Sequence, residues 1–152
     1  MKLINNTKDL LTLLHLDGKS NLPISNFQID SRKVKKNSVF FGLTGSNEDG
    51  SFYAEDAINK GASLAIIRNS KISNSMAYSP KIISVKSPEE CLISSAKMAI
   101  ERYKGVVIGV TGSNGKTTTK TILNTCIKNS YGTYQNYNNE IGLPLCALEL
   151  DS

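Results

Sequence analysis

The sequence has few of the residues and patterns that mark several common classes of protein. Its cysteines, Cys91, Cys126 and Cys146, show neither metal-ligand spacing nor a C-x-x-C pattern, and the first two fall in helical patterns. These observations favour buried free thiols in a reducing cytosol. The one histidine, His15, stands beside a leucine-rich stretch, so we expect it to pack or to lie at the surface rather than to catalyse.

Patterns typical of membrane spans and of nucleic-acid binding are also missing. No apolar run approaches the length that crosses a bilayer, and the N-terminus lacks the apolar core of a signal peptide. No run of five or more Lys and Arg occurs, and aromatic residues are not interleaved with basic ones. We therefore expect a cytoplasmic monomer that neither inserts into membranes nor binds nucleic acid. The net charge of +5 suits a binder of anionic metabolites, although it is also common in proteins without that role.

The most informative stretch is GVTGSNGKTT at residues 109–118. The apolar run at residues 106–110 predicts a buried strand in front of it. Behind it, an apolar stripe of Ile122, Leu123, Cys126 and Ile127 predicts an amphipathic helix. A strand, a glycine turn and a helix in this order form the layout of a phosphate cradle.

Each residue type in this stretch suits the binding of a nucleotide. Gly112 and Gly115 leave backbone N–H groups open to anionic oxygens, and the helix points its positive end at the same place. Lys116 supplies a cation for the outer phosphates, and the Thr117 hydroxyl is placed to hold Mg²⁺. The strict pattern G-x-x-x-x-G-K-[ST] is not met, because Val110 stands five residues before Gly115. A turn that merely needs glycines is the alternative, but it leaves the Lys-Thr-Thr sequence unexplained.

Apolar periodicity predicts further strands and helices. Strands are expected at residues 27–29, 39–43, 64–67 and 81–85. A first helix is capped by Thr7 and ends near residue 18, and a second spans about residues 52–60, where Gly61 ends it. A third begins after the capping residue Ser87, with Pro88 at its first position, and runs to about residue 104.

These elements predict an α/β fold in two parts. Residues 1–85 would form a small mixed α/β N-terminal domain and residues 86–105 a connecting helix. Residues 106–152 would begin a P-loop-type parallel α/β central domain, with a short strand at residues 133–134 and a last apolar helix. A doubly wound sheet usually needs more than the roughly two or three strands expected here, so this second domain is expected to be incomplete.

Three separated stretches resemble one enzyme family, the Mur ligases. DSRKV at residues 30–34, with FFGLTG at 40–45 and DG at 49–50, resembles their N-terminal substrate domain. TGSNGKTT at residues 111–118 is similar to their ATP loop, which uses this shorter glycine spacing. NNEIGLP at residues 138–144 is similar to the stretch typical of the MurF type.

The resemblance implies an ATP-dependent ligase of peptidoglycan precursor synthesis. A MurF-type enzyme adds D-alanyl-D-alanine to UDP-N-acetylmuramoyl-tripeptide through an acyl phosphate, with ATP and Mg²⁺ as cofactors. Ser31 and the loop that starts at Thr44 would contact the UDP portion, and Asn138 and Asn139 would lie beside the active cleft in a role that the resemblance does not define. Lys116 would be the catalytic cation and Thr117 the metal ligand. The residues that would cradle the ATP phosphates are Gly112, Ser113, Asn114, Gly115, Lys116, Thr117 and Thr118.

Other interpretations stay open beside this one. Residues 30–32 could form a strand-end turn held by side-chain hydrogen bonds, and Asn138 and Asn139 a loop and helix cap. Glu140 could be a first-turn acid that complements the helix dipole, and we do not expect it to bind metal. The resemblance departs at Ser51, where the family often has a histidine.

The enzyme class also has alternatives. Within it, the MurE type, cyanophycin synthetase and folylpolyglutamate synthase compete with the MurF type, which residues 138–142 favour. Outside it, the chain could be a module that binds ATP or a UDP-sugar without chemistry. Family members carry more of the central domain, with an acidic Mg²⁺ ligand and a modified lysine, and a C-terminal domain. We therefore expect an N-terminal fragment that does not ligate by itself.

Overall fold

Four parallel strands form the central sheet of the structure, a computed structural model that describes residues 2–18, 20–45, 48–69, 79–133 and 140–151. The strands lie in chain order, so each pairs with the next one along the sequence. In the register, Phe27 lies opposite Val39 and Phe40 opposite Ala65. Their bounds are β1 Asn26–Gln28, β2 Ser38–Phe41, β3 Leu64–Arg68 and β4 Ile82–Val85.

Helices lie before, between and after these strands, so the α/β class is confirmed. Two short 3₁₀ turns, Ser31–Lys33 and Gly50–Tyr53, follow β1 and β2. The α-helices of the described residues are α1 Thr7–Leu13, α2 Ala54–Asn59, α3 Pro88–Arg102, α4 Lys116–Cys126 and α5 Gly142–Leu148. The strands predicted at residues 27–29, 39–43, 64–67 and 81–85 are present, with ends that differ from the predictions by at most two residues.

Alternating side chains of the strands build a hydrophobic core on each face of the sheet. Val39 and Phe41 of β2 point to one core, and Phe40 between them points to the other. This is the alternation that a pleated strand imposes. The first core is completed by α1, α3 and α5, and the second by α2, whose Ala54 and Ala57 are fully buried. The sheet is therefore a middle layer between helices.

Residues that follow the glycine-rich stretch pack back onto this first sheet. Leu145 and Leu148 of α5 lie in the same core as Phe27. The Phe27 N–H donates to Glu149 Oε1 at 3.2 Å, and the Lys2 ammonium forms an ion pair with the same carboxylate at 2.8 Å. The division into domains at residues 85 and 106 stays a prediction.

The predicted start of α1 was wrong by one residue. Asn6 is the N-cap, because its Oδ1 accepts a hydrogen bond from Asp9 N at 2.8 Å. Thr7 is the first helical residue, and its buried hydroxyl donates to Ser20 O and accepts from Leu22 N, both at 2.9 Å. Both residue types can cap a helix, but the Thr7 hydroxyl is already hydrogen-bonded to the backbone of Ser20 and Leu22. The helix also ends at Leu13, well before residue 18.

The strand predicted at residues 106–110 is not formed. Val106, Val107 and Ile108 are 85%, 59% and 54% exposed, and no residue of this run is in a strand. A strand needs a neighbour to take its backbone N–H and C=O groups. The part of the chain that the structure describes pairs no strand with this run.

The helix after the glycines is present, but its apolar stripe is not buried. No residue of α4 is buried, and Ile122 and Ile127 are 56% and 43% exposed. Cys126 on this helix is exposed too, so the expectation of a buried thiol was wrong there, whereas Cys91 is half-buried and Cys146 is buried. His15 is exposed, which is the second of the two expectations, packing or a place at the surface.

Candidate functional site

The carboxyl ends of the four strands bring several polar residues to one edge of the sheet. Ser31 follows β1, Thr44 follows β2, Arg68 ends β3 and Ser87 follows β4. Because all four strands are parallel, their carboxyl ends lie at the same edge. In open α/β sheets, ligands bind outside the carboxyl ends of the strands, usually where the strand order reverses, and the four described strands follow chain order without a reversal. Both predicted UDP-contacting residues, Ser31 and Thr44, lie at this edge.

Asp30 and Arg32 form a tight turn around Ser31. The Asp30 carboxylate accepts from the Arg32 backbone N at 3.0 Å and from its Nε and Nη2 at 2.9 Å each. The Arg32 side-chain hydrogen bonds, more than its charge, lower the pKa of Asp30 to about 2. The predicted alternative, a turn held by side-chain hydrogen bonds, thus describes Asp30 and Arg32. Ser31 is buried, and its carbonyl accepts from Lys60 Nζ at 3.3 Å. The same ammonium donates to the Asp56 carboxylate at 2.7 Å and lowers the pKa of Asp56.

Thr44 is exposed and begins a hairpin whose base is held by backbone contacts. Thr44 forms an antiparallel bridge with Asp49, and Gly45 N donates to Glu48 O at 2.8 Å. Gly50 N donates to Leu43 O at 2.8 Å. The Thr44 N–H itself donates to Glu89 Oε1 at 3.0 Å. The Glu89 carboxylate of α3 therefore fixes the backbone of Thr44, which is predicted to contact the substrate.

Arg68 joins the same cluster from the end of β3. Its Nη2 donates to both Glu89 oxygens, at 2.9 and 2.8 Å, and to Thr44 Oγ1 at 3.1 Å. Burial by itself would raise the pKa of Glu89, but hydrogen bonds from the amides of Thr44 and Glu89, from Ser87 and the charge of Arg68 outweigh it and lower that pKa. Sequence reasoning missed this pair. The available signal was that Arg68 is the first charged residue after an apolar strand.

Ser51 has a structural role at this edge. It is fully buried, its hydroxyl donates to Gly42 O at 3.2 Å, and its Oγ accepts from Arg68 N at 3.1 Å. It thereby ties the two sides of the hairpin base to the end of β3. Where the family often has a histidine, this chain therefore has a buried serine whose hydroxyl is hydrogen-bonded on both sides.

The glycine-rich loop has the backbone geometry of an anion cradle. Gly112 and Gly115 have φ values of 150° and 78°, a region that favours glycine. The first-turn amides of a helix have no intrahelical partners. In α4 the N-cap is Gly115, which has no side chain to accept from them. The Lys116 ammonium folds back and donates to the Gly112 carbonyl. A Cβ built on Gly115 would meet nothing within 4 Å, so the space beside Gly115 is open.

These residues fit ATP with Mg²⁺. Open amides at a helix N-terminus and a lysine suit phosphate oxygens. Mg²⁺ bound with a nucleotide takes one or two protein oxygens together with phosphates and water, and the exposed Thr117 hydroxyl is one such oxygen. Across the described ranges no group of three or more His, Cys, Asp and Glu could hold a metal by itself. Ser113, Asn114 and Thr118 are exposed in the same loop and first turn.

Some predicted positions are outside the described residues: Asn138, Asn139 and Tyr134 of the strand predicted at residues 133–134. Thr133 is described and is not in a strand. Glu140 is exposed, just before α5. In the described part of the chain, every helix is too short or too polar to cross a bilayer.

Comparison with known proteins gives two family matches. The pattern described as "Mur ligase family, catalytic domain" matches residues 23–106, and "Mur ligase middle domain" matches residues 110–152. The UDP-N-acetylmuramoyl-L-alanyl-D-glutamate–2,6-diaminopimelate ligase of Clostridioides difficile is 39% identical over 130 residues, which cover 80% of this chain and 25% of that protein. The UDP-N-acetylmuramoyl-tripeptide–D-alanyl-D-alanine ligase of Buchnera aphidicola is 30% identical over 154 residues, covering 99% of this chain and 33% of that protein.

A solved structure with the same fold carries a bound nucleotide. MurF ligase from Thermotoga maritima, in complex with ADP, superposes with a TM-score of 0.71 at 35% identity. The match covers 84% of this chain and 29% of that one. The chain thus spans about a quarter to a third of the length of the relatives it matches.

Proposed function

Since this chain belongs to the Mur ligase family, we propose that it is part of a MurF-type ligase, which joins D-alanyl-D-alanine to UDP-N-acetylmuramoyl-tripeptide. The MurF assignment is supported by the stretch at residues 138–144 and by the Buchnera relative, whose match extends over 99% of the chain. The ligase family as a whole is ATP-dependent, and the Thermotoga structure is a complex with ADP.

The observation that carries the proposal is the glycine loop at the start of α4. Gly112 and Gly115 have backbone angles that favour glycine, and in the proposed site the first-turn amides of α4 would face the phosphates. ATP, when bound, supplies the phosphoryl group that activates a carboxylate. The Lys116 ammonium would exchange the Gly112 carbonyl for a phosphate oxygen and neutralise charge, and the Thr117 hydroxyl would hold the metal. Catalysis of this kind relies on positioning and charge.

Replacing Lys116 with alanine tests the nucleotide site. We expect ATP–Mg²⁺ affinity, measured by calorimetric titration, to fall about 10- to 100-fold, because one charge-assisted hydrogen bond is worth about 1.5–3 kcal/mol. Lys120→Ala is the matched control, since Lys120 lies on the same helix and its Nζ donates to Thr133 O at 2.7 Å. Equal ATP affinity of the Lys116→Ala variant and the parent chain contradicts the site, whatever the control shows.

On the substrate side, we propose that Ser31 and Thr44 contact the UDP portion of the precursor. Support comes from their place at the carboxyl edge of the parallel sheet. Adding UDP-N-acetylmuramic acid to ¹⁵N-labelled protein should shift the amide resonances of Ser31 and Thr44. N-acetylmuramic acid without UDP should shift neither. Resonance shifts confined to residues 112–118 would place the UDP group at the nucleotide loop and refute this contact.

The MurE type remains a second candidate, because the relative from Clostridioides difficile is 39% identical. The two types differ in both substrates: one joins D-alanyl-D-alanine to UDP-N-acetylmuramoyl-tripeptide and the other joins 2,6-diaminopimelate to UDP-N-acetylmuramoyl-L-alanyl-D-glutamate. A ligation assay of the whole protein with each matched pair of substrates separates them. A cytoplasmic location is part of the same proposal. The expectation that these 152 residues do not ligate by themselves stays a prediction.

A further inference from the structure

The strongest unassigned cluster in the described residues joins three elements at the carboxyl edge of the sheet. Arg68 ends β3, Glu89 lies in the first turn of α3, and Thr44 follows β2. Both oxygens of Glu89 accept from Arg68 Nη2, and Oε1 also accepts from Thr44 N. Arg68 Nη2 reaches Thr44 Oγ1 as well. The backbone and the side chain of Thr44 are therefore both held, one by the carboxylate and one by the guanidinium.

We propose that Arg68 and Glu89 are a pair of positioning residues that hold Thr44 in place for the UDP portion of the substrate. The inference rests on the proposed function, because Thr44 is the residue proposed to contact UDP. Each partner acts through Thr44, so neither is a catalytic residue. The chemistry served is recognition of a nucleoside diphosphate at the edge of the sheet.

The hydrogen bonds of Arg68 favour positioning over direct contact with phosphate. A guanidinium has five N–H donors. In this structure Nη1 donates to Lys86 O at 3.1 Å, Nη2 is shared by Glu89 and Thr44, and Nε lies 4.0 Å from Asp49 Oδ2. Nη1 and Nη2 thus already donate to protein acceptors, and the Arg68 side chain is 29% exposed, whereas Thr44 is exposed.

Glu89 is itself held in a fixed orientation. It follows Pro88 at the start of α3, where the Ser87 hydroxyl donates to Glu89 Oε2 at 3.1 Å and also caps the helix by accepting from Glu90 N at 3.2 Å. Because α3 is packed in the core, the Glu89 carboxylate has a fixed position, and its hydrogen bond fixes the exposed Thr44 relative to α3. Preorganised contacts of this kind raise affinity because the loop loses less freedom on binding.

The other end of α3 carries a matched ion pair that serves as a control. Arg102 Nη1 and Nη2 donate to the Asp9 carboxylate at 2.6 and 3.0 Å, and Nη1 also reaches Leu3 O at 3.3 Å. This pair has the same composition as the first: a two-oxygen contact and one backbone carbonyl. It ties α3 to the start of α1, away from the carboxyl edge. A purely structural role predicts the same consequences for both pairs.

The test compares the affinity of UDP-N-acetylmuramic acid for the parent chain with that for Arg68→Met, Glu89→Gln, the double variant and Arg102→Met. We expect about tenfold weaker binding for each single variant at the carboxyl edge, since misplaced positioning groups are costly, and little further loss in the double variant. Arg102→Met should lower thermal stability to a similar degree and leave the affinity unchanged. Arg68→Lys should restore part of the affinity, because it keeps the charge without the fork.

A spectroscopic measurement separates positioning from general loosening. The Thr44 amide resonance should move in Glu89→Gln and stay in place in Arg102→Met. If the parent chain binds and the Arg68 and Glu89 variants bind equally well, or if Arg102→Met loses as much affinity, the positioning pair is refuted while the proposed function stands. If the parent chain does not bind UDP-N-acetylmuramic acid, the proposed UDP contact fails, and this inference fails with it.

Discussion

Replacing Phe41 with alanine should lower the free energy of unfolding by about 3–5 kcal/mol, the usual cost of removing a phenylalanine from a packed core. Phe41 is fully buried in β2 and lies in the core formed with α1, α3 and α5. Total stabilities of single domains are only about 5–15 kcal/mol, so the variant should be close to unfolding. Urea denaturation monitored by far-UV circular dichroism measures the change.

Phe52→Ala is the matched control for this prediction. The Phe52 side chain is 60% exposed in the 3₁₀ turn after Asp49, and exposed substitutions usually change stability by less than about 0.5 kcal/mol. Equal losses in the two variants would show that the described core does not carry the stability of the chain.

Gly42→Ala is expected to have the second-largest effect. A Cβ at Gly42 would lie 2.8 Å from Ser51 Cα and 2.9 Å from Ser51 N, and backbone atoms cannot rotate away as a side chain can. Forcing them apart should cost about 1–3 kcal/mol, as overpacking generally does. It would also stretch the hydrogen bond from the Ser51 hydroxyl to Gly42 O. We therefore expect a lower unfolding midpoint in urea together with weaker binding of UDP-N-acetylmuramic acid.

Gly109→Ala provides the comparison, because a Cβ at that position would meet nothing within 4 Å. Its unfolding midpoint should stay unchanged or rise slightly, since alanine restricts the unfolded chain more than glycine does. The two glycines precede the two predicted sites, so the pair of variants distinguishes a steric effect from a general effect of removing a glycine. A Gly42→Ala protein as stable as Gly109→Ala would refute the close approach of Gly42 and Ser51.

Local patterns predicted the elements whose stability is decided locally or by simple burial. The apolar runs of β2 and β3 are almost entirely buried, so a short uninterrupted run of apolar residues was enough to find them. The start of α3 was also correct, because the Ser87 side chain caps its own helix three residues away. Such features need no knowledge of the rest of the chain.

Features that depend on distant partners could not be predicted in the same way. The run at residues 106–110 has the composition of a buried strand, but composition does not supply a neighbouring strand, and Val106 is 85% exposed. The pairing of Arg68 with Glu89 joins residues 21 positions apart through the fold of β3 against α3. Ser31 and Thr44 were identified from a family resemblance, while the atoms that hold them became visible only once the strands were placed side by side.

The Glu149 carboxylate beside β1 has a consequence for self-association. β1 is at one end of the strand order, and an edge strand with unpaired N–H groups is a template on which another molecule can add a strand. Here the Phe27 N–H is already taken by Glu149, and Lys2 holds that carboxylate in place. A negative charge fixed across the edge also repels an incoming backbone carbonyl. Glu149, directly after α5, thereby disfavours edge-to-edge aggregation at β1, while the preceding residue Leu148 contributes to the core.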